Sequence, residues 1–309
     1  MWEFLSSSFA ALHAWVFETL VQPVLYRAGL MAWAEQAFEG TELFLIGALE
    51  LVILWALFRP LEQIAPAEPW ADRKAANRDF VYALLAKLGV FPLFFFFILT
   101  PAVDWVNANL RLAGVIPPNL EDLVPPLQTA PVVSALLYLL ILDFADYWRH
   151  RWQHRFRIWW ALHAVHHSQR QMTFWTDDRE HLLDQMISAL FRAVIGLALG
   201  VPPVQFLTVT LVSGALEALS HANVRLSFGP LGDRILVSPR FHRTHHAMDQ
   251  GRYGSNFAQV FAFWDVIFGT ANFDPTYRPT GIADQLRGRD YGEGFWAQQW
   301  LGLRRMFEN

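Results

Sequence analysis

The sequence predicts an all-α integral-membrane helical bundle of about four spans plus a re-entrant helical hairpin, with a cytosolic histidine-rich helical cap. Three observations carry that expectation. Of 309 residues, 54% are hydrophobic, 15% aromatic and only 17% charged, well under the usual quarter of charged residues in a soluble domain. Several apolar windows are long enough to cross about 30 Å of hydrocarbon. Ten of the eleven histidines fall between His150 and His246, which concentrates the polar chemistry in one stretch.

Taken in order, the first window, about 9–26, contains His13, Glu18 and Gln22 and is read as a crossing in preference to an amphipathic helix lying in the interface. The second, about 42–58, carries Glu50 in mid-stretch. A carboxylate there must face other helices or be protonated, because a lipid-facing charge costs several kcal/mol. The third and fourth run about 80–103 and 129–148. An apolar pair at about 186–220 is broken by Pro202 and Pro203, which end one helix and permit a tight reversal. Read as a hairpin that dips in and returns, it leaves 149–185 and 221–309 on one side of the bilayer.

Loop charges orient the set. Arg59, Arg73, Lys74 and Arg78 lie between the second and third windows, whereas the loop 101–128 holds Arg111 as its single basic residue. The positive-inside rule makes the first loop cytoplasmic. One further crossing returns the chain to the cytoplasm at Trp148, where Arg149, Arg151, Arg155 and Arg157 follow, and Trp148, Trp152, Trp159 and Trp160 suit the headgroup layer. No repeat or linker divides the chain, so a single domain, 1–309, is expected. The start, MWEFLSSS, has no basic n-region, so no cleaved signal peptide is expected. A net charge of −4 without a basic stripe argues against a nucleic-acid partner.

Eight of the ten grouped histidines form three clusters: His150 and His154 in HRWQH, His163, His166 and His167 in HAVHH, and His242, His245 and His246 in HRTHH. Neutral imidazole is the commonest metal ligand. The absence of cysteine excludes thiolate sites and leaves the redox compartment open. Residues three or four apart share a helix face, so each cluster is a preformed half-clamp. A lone HxxxH pair is more often an exposed polar face. Three clusters on one membrane side make that reading a minor one, because adjacent imidazoles with a third one turn away have little packing rationale.

His181 and His221 flank the hairpin. As single residues they would more often be polar boundary residues, but their place beside the clusters adds them to the ligand set. His13, without a partner histidine, is assigned to structure. Asp146 and Asp143 lie four and seven residues before His150, on the same stripe, and are expected to accept the second ring N–H of a ligand. For Asp177, Asp178, Glu180, Asn223 and Asp249 a cap or turn role is the commoner reading; of these, Asn223 is carried forward as a candidate partner. Eight to ten imidazoles exceed the roughly four to six ligands of one first-row ion. Two ions follow. Nitrogen-rich ligation beside a membrane suits a pair of irons acting with dioxygen on the C–H bonds of a lipid; zinc would imply hydrolysis, for which no HExxH pattern is present.

HRWQH, LHAVHH and FHRTHH, followed by YGSNFAQVFAFWDVIFGT, resemble the fatty acid hydroxylase/sterol desaturase superfamily of integral-membrane histidine-box di-iron enzymes. The likeness is closest to the alkylglycerol-monooxygenase-like and bacterial sterol-desaturase-like members and covers roughly Ile141 to Ala271. It implies His150 and His154 as the first box, His163, His166 and His167 as the second, His242, His245 and His246 as the last, and His181 and His221 as intervening ligands. It further implies two iron ions, O2 as cosubstrate, a hydrophobic lipid-like substrate from the bilayer and a separate electron-transfer protein on the cytosolic face. The location implied is a bacterial inner membrane with the metal site facing the cytoplasm.

The reaction so implied is that of a hydroxylase (monooxygenase), with a desaturase as the alternative. Trp264 and Asp265 fall in a segment similar to one that packs over the site, read as structural. The arginines at 149–157 either attract an acidic carrier or anionic headgroups, or serve topology alone. A metal transporter would place ligands near mid-membrane on broken helices, and a haem cytochrome would need histidines facing each other in mid-span. Both rank lower.

Overall fold

A computed structural model describes residues 2–89, 93–248, 254–288, 291–292 and 294–308. Among them the regular structure is helical, apart from one antiparallel bridge between Ala247 and Thr280. The first helix (α1) comprises Trp2–Val16, a π turn at Phe17–Val21 and Gln22–Ala28. Pro23 offers no N–H to the carbonyl four residues earlier, and the helix widens just before it. His13 donates from Nε2 to the Phe38 carbonyl (2.8 Å), the structural role expected of it.

Ala34–Ile64 (α2) and Arg73–Leu88 (α3) lie against each other. Gly47 is what lets them touch, since a Cβ there would lie 2.4 Å from the Lys87 carbonyl oxygen. Glu50 faces inward as expected: Lys87 Nζ meets it at 2.8 Å and Asp178 at 3.4 Å. The window 80–103 is described only on either side of residues 90–92. It holds the end of α3, a π turn at Phe95–Leu99 and the start of Thr100–Leu112 (α4).

The site-bearing half consists of Pro131–Arg155 (α5), Arg157–His167 (α6), Leu182–Ala198 (α7), Pro203–His221 (α8), Pro239–His245 (α9), Phe263–Ile267 (α10) and Phe295–Phe307 (α11). Among the described residues, three helices are long and apolar enough to cross a membrane: Met31–Ile64, Pro131–Arg155 and Pro203–His221. Two of them contain expected windows, and the third is the returning limb of the expected hairpin. α1, which holds the window 9–26, is not among them.

The hairpin runs deeper than expected. Ser134 at the start of α5 and Gln205 at the start of α8 hydrogen-bond to each other (3.1 Å) and both reach Glu121. Gly200, left-handed at φ 58°, turns the chain against the Pro117 and Pro118 carbonyls. The reversal therefore sits level with the N-terminus of α5, at the end of the bundle away from the histidines. At the other end α2, α5 and α8 all finish together. Glu62 of α2 accepts the N–H groups of Phe174 and Asn223, both at 3.0 Å, tying α2 to the loops beside His221. There α6 and α9 bring their histidines to those of α5 and α8, and α11 packs against α6.

Candidate metal centre

α5 emerges with His150 and His154 one turn apart. Phe156, in an extended conformation (φ −95°, ψ 118°), breaks the helix and turns α6 back, so His163, His166 and His167 face α5. α8 delivers His221 as its last residue. α9 starts where Ser238 Oγ accepts the Phe241 N–H and Pro239 takes the first turn, and it presents His242, His245 and His246. Four separate elements thus supply imidazoles to one volume.

The rings fall into two groups of four: His150, His154, His167 and His245 in one, and His166, His221, His242 and His246 in the other. Within each, one ring nitrogen per residue lies within 4.8 Å of all the others. The groups adjoin, with the His167 and His246 rings stacked at 4.3 Å between centroids. His163 stands beside both, its ring 5.0 Å from His167 and 5.3 Å from His166. All of these rings are buried except that of His154, which is half-buried.

Burial has an electrostatic consequence. It holds His166, His167, His242 and His246 well below the ordinary imidazole range, with neighbouring imidazoles adding to the effect. Burial likewise pushes His245 down to about 3, against the opposing pull of the Ser255 carbonyl. At neutral pH these rings are uncharged and able to bind metal.

Hydrogen bonds fix which nitrogen is free. His150 Nδ1 donates to the Phe257 carbonyl (2.7 Å), His245 Nδ1 to the Ser255 carbonyl (2.8 Å) and His221 Nδ1 to the Glu217 carbonyl (2.8 Å). His163 Nδ1 meets Asp184 Oδ2 at 3.1 Å. Each Nε2 is then a lone-pair donor. Yet the Nε2 atoms of His150 and His245 lie 3.0 Å apart, and lone pairs facing at such a distance repel unless a cation lies between them. The Nε2 of His221 likewise lies 3.1 Å from that of His166 and 2.8 Å from that of His242. About 3 Å is also the separation of adjacent ligands on an ion bound at about 2.1 Å. Both nitrogens of His167, and Nδ1 of His166, His242 and His246, are buried without a hydrogen-bond partner. The residues fit a pair of nitrogen-ligated ions.

Of the ten expected ligands, His181 is not brought to either group. Its Nε2 donates to the Gln299 carbonyl (2.9 Å) and its Nδ1 accepts the Leu183 N–H (3.0 Å), which caps α7 and leaves no lone pair. The two aspartates also differ from expectation. Asp143 accepts the N–H groups of Val260 and Phe261 and the Trp264 indole N–H, while Asp146 pairs with Arg149 (2.9 Å) and Arg192 (2.8 Å). Neither hydrogen-bonds to a histidine. Asn223 likewise ties the chain to Glu68, accepting its N–H and donating to its carbonyl. Asp249 lies outside the described residues.

The orienting groups that sequence reasoning missed are Asp184, three backbone carbonyls and the residues that hold those carbonyls. Asp265 accepts the Phe257 and Ala258 N–H groups (2.9 and 2.8 Å), and Asn256, left-handed at φ 59°, bonds to the Phe241 and Asn272 carbonyls. Together they fix the loop whose Ser255 and Phe257 carbonyls aim His245 and His150. An Asn in the SNF tripeptide was the one available signal, because Asn tolerates the left-handed region. Asp177, assigned a bland role, lies 3.3 Å from His221 Nδ1. Arg149 is buried with Asp146, Gln153 and Ser188 and so belongs to no docking surface.

A cavity of about 580 Å³ opens onto His154, between Trp148, Trp152, Phe156 and Phe257, with Arg151 and Arg155 at its side. It touches the half-buried histidine and none of the fully buried ones.

Residues 135–270 match the fatty acid hydroxylase family model. The ornithine lipid hydroxylase OlsE of Rhizobium tropici is 29% identical over 91% of this chain and 82% of its own length. The alkylglycerol monooxygenase of Homo sapiens is 35% identical over 42% of this chain and 28% of its own length. The very-long-chain aldehyde decarbonylase GL1-11 of Oryza sativa subsp. indica is 28% identical over 53% and 60% respectively. The matched region therefore spans less than a third of the monooxygenase and under two thirds of the decarbonylase. No solved structure matches the chain.

Proposed function

Because residues 135–270 match the fatty acid hydroxylase family model, we propose that the chain is a membrane-bound, O2-dependent di-iron hydroxylase that inserts oxygen into a C–H bond of a lipid. The observation that carries this reading is the pairing of eight imidazoles into two adjoining groups of four, seven of them buried. His150, His154, His167 and His245 hold one iron and His166, His221, His242 and His246 the other, with His163 as a ninth donor. Bound there, the irons supply the dioxygen-activating redox chemistry that no side chain can provide.

The chain's own part is placement and exclusion. The Phe257, Ser255 and Glu217 carbonyls hold His150, His245 and His221 in one tautomer, and buried packing keeps water from the second group. The lipid enters by the cavity at His154, where aromatic walls bind its apolar part and orient one carbon toward the first group. Relatives named as a lipid hydroxylase and an alkylglycerol monooxygenase support a lipid substrate and oxygen insertion over desaturation. One oxygen atom enters the product and the other leaves as water. The two electrons needed come from a separate carrier that docks on the cytosolic face, where the positive-inside pattern puts the cap.

Metal analysis of the purified chain, with mass spectrometry of host lipids made with and without the gene, tests this. A lipid heavier by one oxygen atom and iron in the protein are expected. A product lacking two hydrogens would instead make it a desaturase, and protein that takes up no metal would end the reading.

A further inference from the structure

α9 has two working faces. His242, His245 and His246 point to the metal groups, while Arg240, Arg243 and Thr244, spaced likewise at i, i+3 and i+4, line a separate cavity of about 260 Å³. Arg225 and Arg278 complete a lining of four guanidinium groups beside Asp274; of the four, Arg240 pairs with Asp233 and Arg243 with Glu68. Its walls are fixed by backbone bonds: Arg225 N–H to the Ala65 carbonyl (2.8 Å), Arg240 N–H to the Leu226 carbonyl (3.1 Å) and Met248 N–H to the Pro279 carbonyl (3.0 Å).

Arg243 is the informative residue. It is 9% exposed, one Nη lies 2.6 Å from Glu68, its guanidinium sits 5.2 Å over the Tyr277 ring, and its Nε and other Nη make no hydrogen bond within normal geometry. A buried guanidinium with idle N–H groups is costly. Its planar fork suits an oxyanion, which can accept two parallel bonds. Asp274, the carboxylate of the lining, accepts the Thr276 N–H along its own loop (2.8 Å).

The cavity lies where α2 and α8 end, between residues 65–67 and 224–227, which is the level of lipid headgroups if those helices cross the bilayer. Its volume exceeds that of a bare phosphate and leaves room for the attached headgroup. We propose that this cavity binds a phosphate oxyanion, as carried by an anionic phospholipid headgroup, with Arg243 at its base and Arg225 at its mouth. The site is distinct from the cavity at His154 and does not depend on the reaction at the metals.

The test is native mass spectrometry of the full chain in detergent, titrated with phosphatidylglycerol and with phosphatidylcholine, alongside calorimetry with inorganic phosphate. Phosphatidylglycerol should bind in preference to phosphatidylcholine. Arg243→Lys, which keeps the charge but loses the fork, and Arg225→Ala should each weaken binding by about tenfold or more. Arg225 is exposed, so its variant should fold and keep its metal even if a change at Arg243 does not. Phosphate binding with the same arginine dependence, but no preference between the lipids, would support the oxyanion site and place its ligand in solution. Equal binding of both lipids without phosphate binding, or unchanged affinity in both variants, would overturn the proposal.

Discussion

A histidine that donates one ring N–H to a carbonyl keeps its other nitrogen for a metal, whereas a histidine using both nitrogens within the protein has none to spare. That distinction separates His245 from His181. His245→Ala should abolish metal uptake at its group while the chain still inserts. His181→Ala should keep its metal and lose about 1–3 kcal/mol of stability, from a helix cap and a buried hydrogen bond; metal content and melting measured together tell the two apart.

The buried rings also set a pH response. In the unfolded chain imidazoles take up protons near 6.5, but in the folded chain His245 does so only near 3, and His166, His167, His242 and His246 also lie well below the ordinary value. Above about 6.5 neither state is protonated and their contribution to stability is fully present. As pH falls below that, the unfolded chain binds protons the folded chain refuses, so stability is lost progressively toward pH 3. The metal-free protein should melt at steadily lower temperature from about pH 7 to pH 4, and a flat profile would contradict the burial of these rings. Asp265 acts one step removed, through the loop that aims His150 and His245. Asp265→Ala should weaken metal binding by about 10–100-fold without removing any ligand, which a metal titration would read.

At the scale of elements, two contacts decide how helices approach. Gly47 permits α2 and α3 to meet backbone to backbone, and a Cβ 2.4 Å from the Lys87 carbonyl cannot be accommodated without movement. Gly47→Ala should therefore destabilise by about 1–3 kcal/mol, seen as a lower melting temperature with unchanged metal stoichiometry. The second contact joins the α5 and α8 N-termini through Glu121, and it runs the hairpin the full depth of the bundle. Helix register explains both what was legible in these elements and what was not. A spacing of four correctly put Asp146 on the stripe of His150, but Arg192 of α7 reaches that stripe too, and a guanidinium attracts a carboxylate more strongly than a neutral imidazole does. Nothing in the spacing within α5 could reveal a competitor from another helix.

For the whole molecule, the centre is also a structural joint, since α5, α6, α8 and α9 each contribute rings to it. Bound metal at about a thousand times its Kd would add roughly 4 kcal/mol, and at about 2–4 °C per kcal/mol for a large domain, chelation should lower the melting temperature by roughly 8–16 °C. The joint sits where the three apolar helices long enough to cross a membrane end, close to the His154 cavity. One group of imidazoles is open there and the other is enclosed, so ions bound at the two groups would differ in access.

The sequence by itself determined the apolar, helical character of the chain and which eight histidines cluster, because composition and spacings of three and four are local properties. It also placed His221 in the set by its position at the end of the hairpin. Only the tertiary structure decided how the rings are shared. His166 and His167 are neighbours in the chain yet join different groups, as do His245 and His246, because successive residues on a helix point about 100° apart and each can reach a different set of partners. The same long-range packing turned His181 into a cap, gave Asp143 and Asp146 to other donors, and left Arg243 buried beside a second cavity.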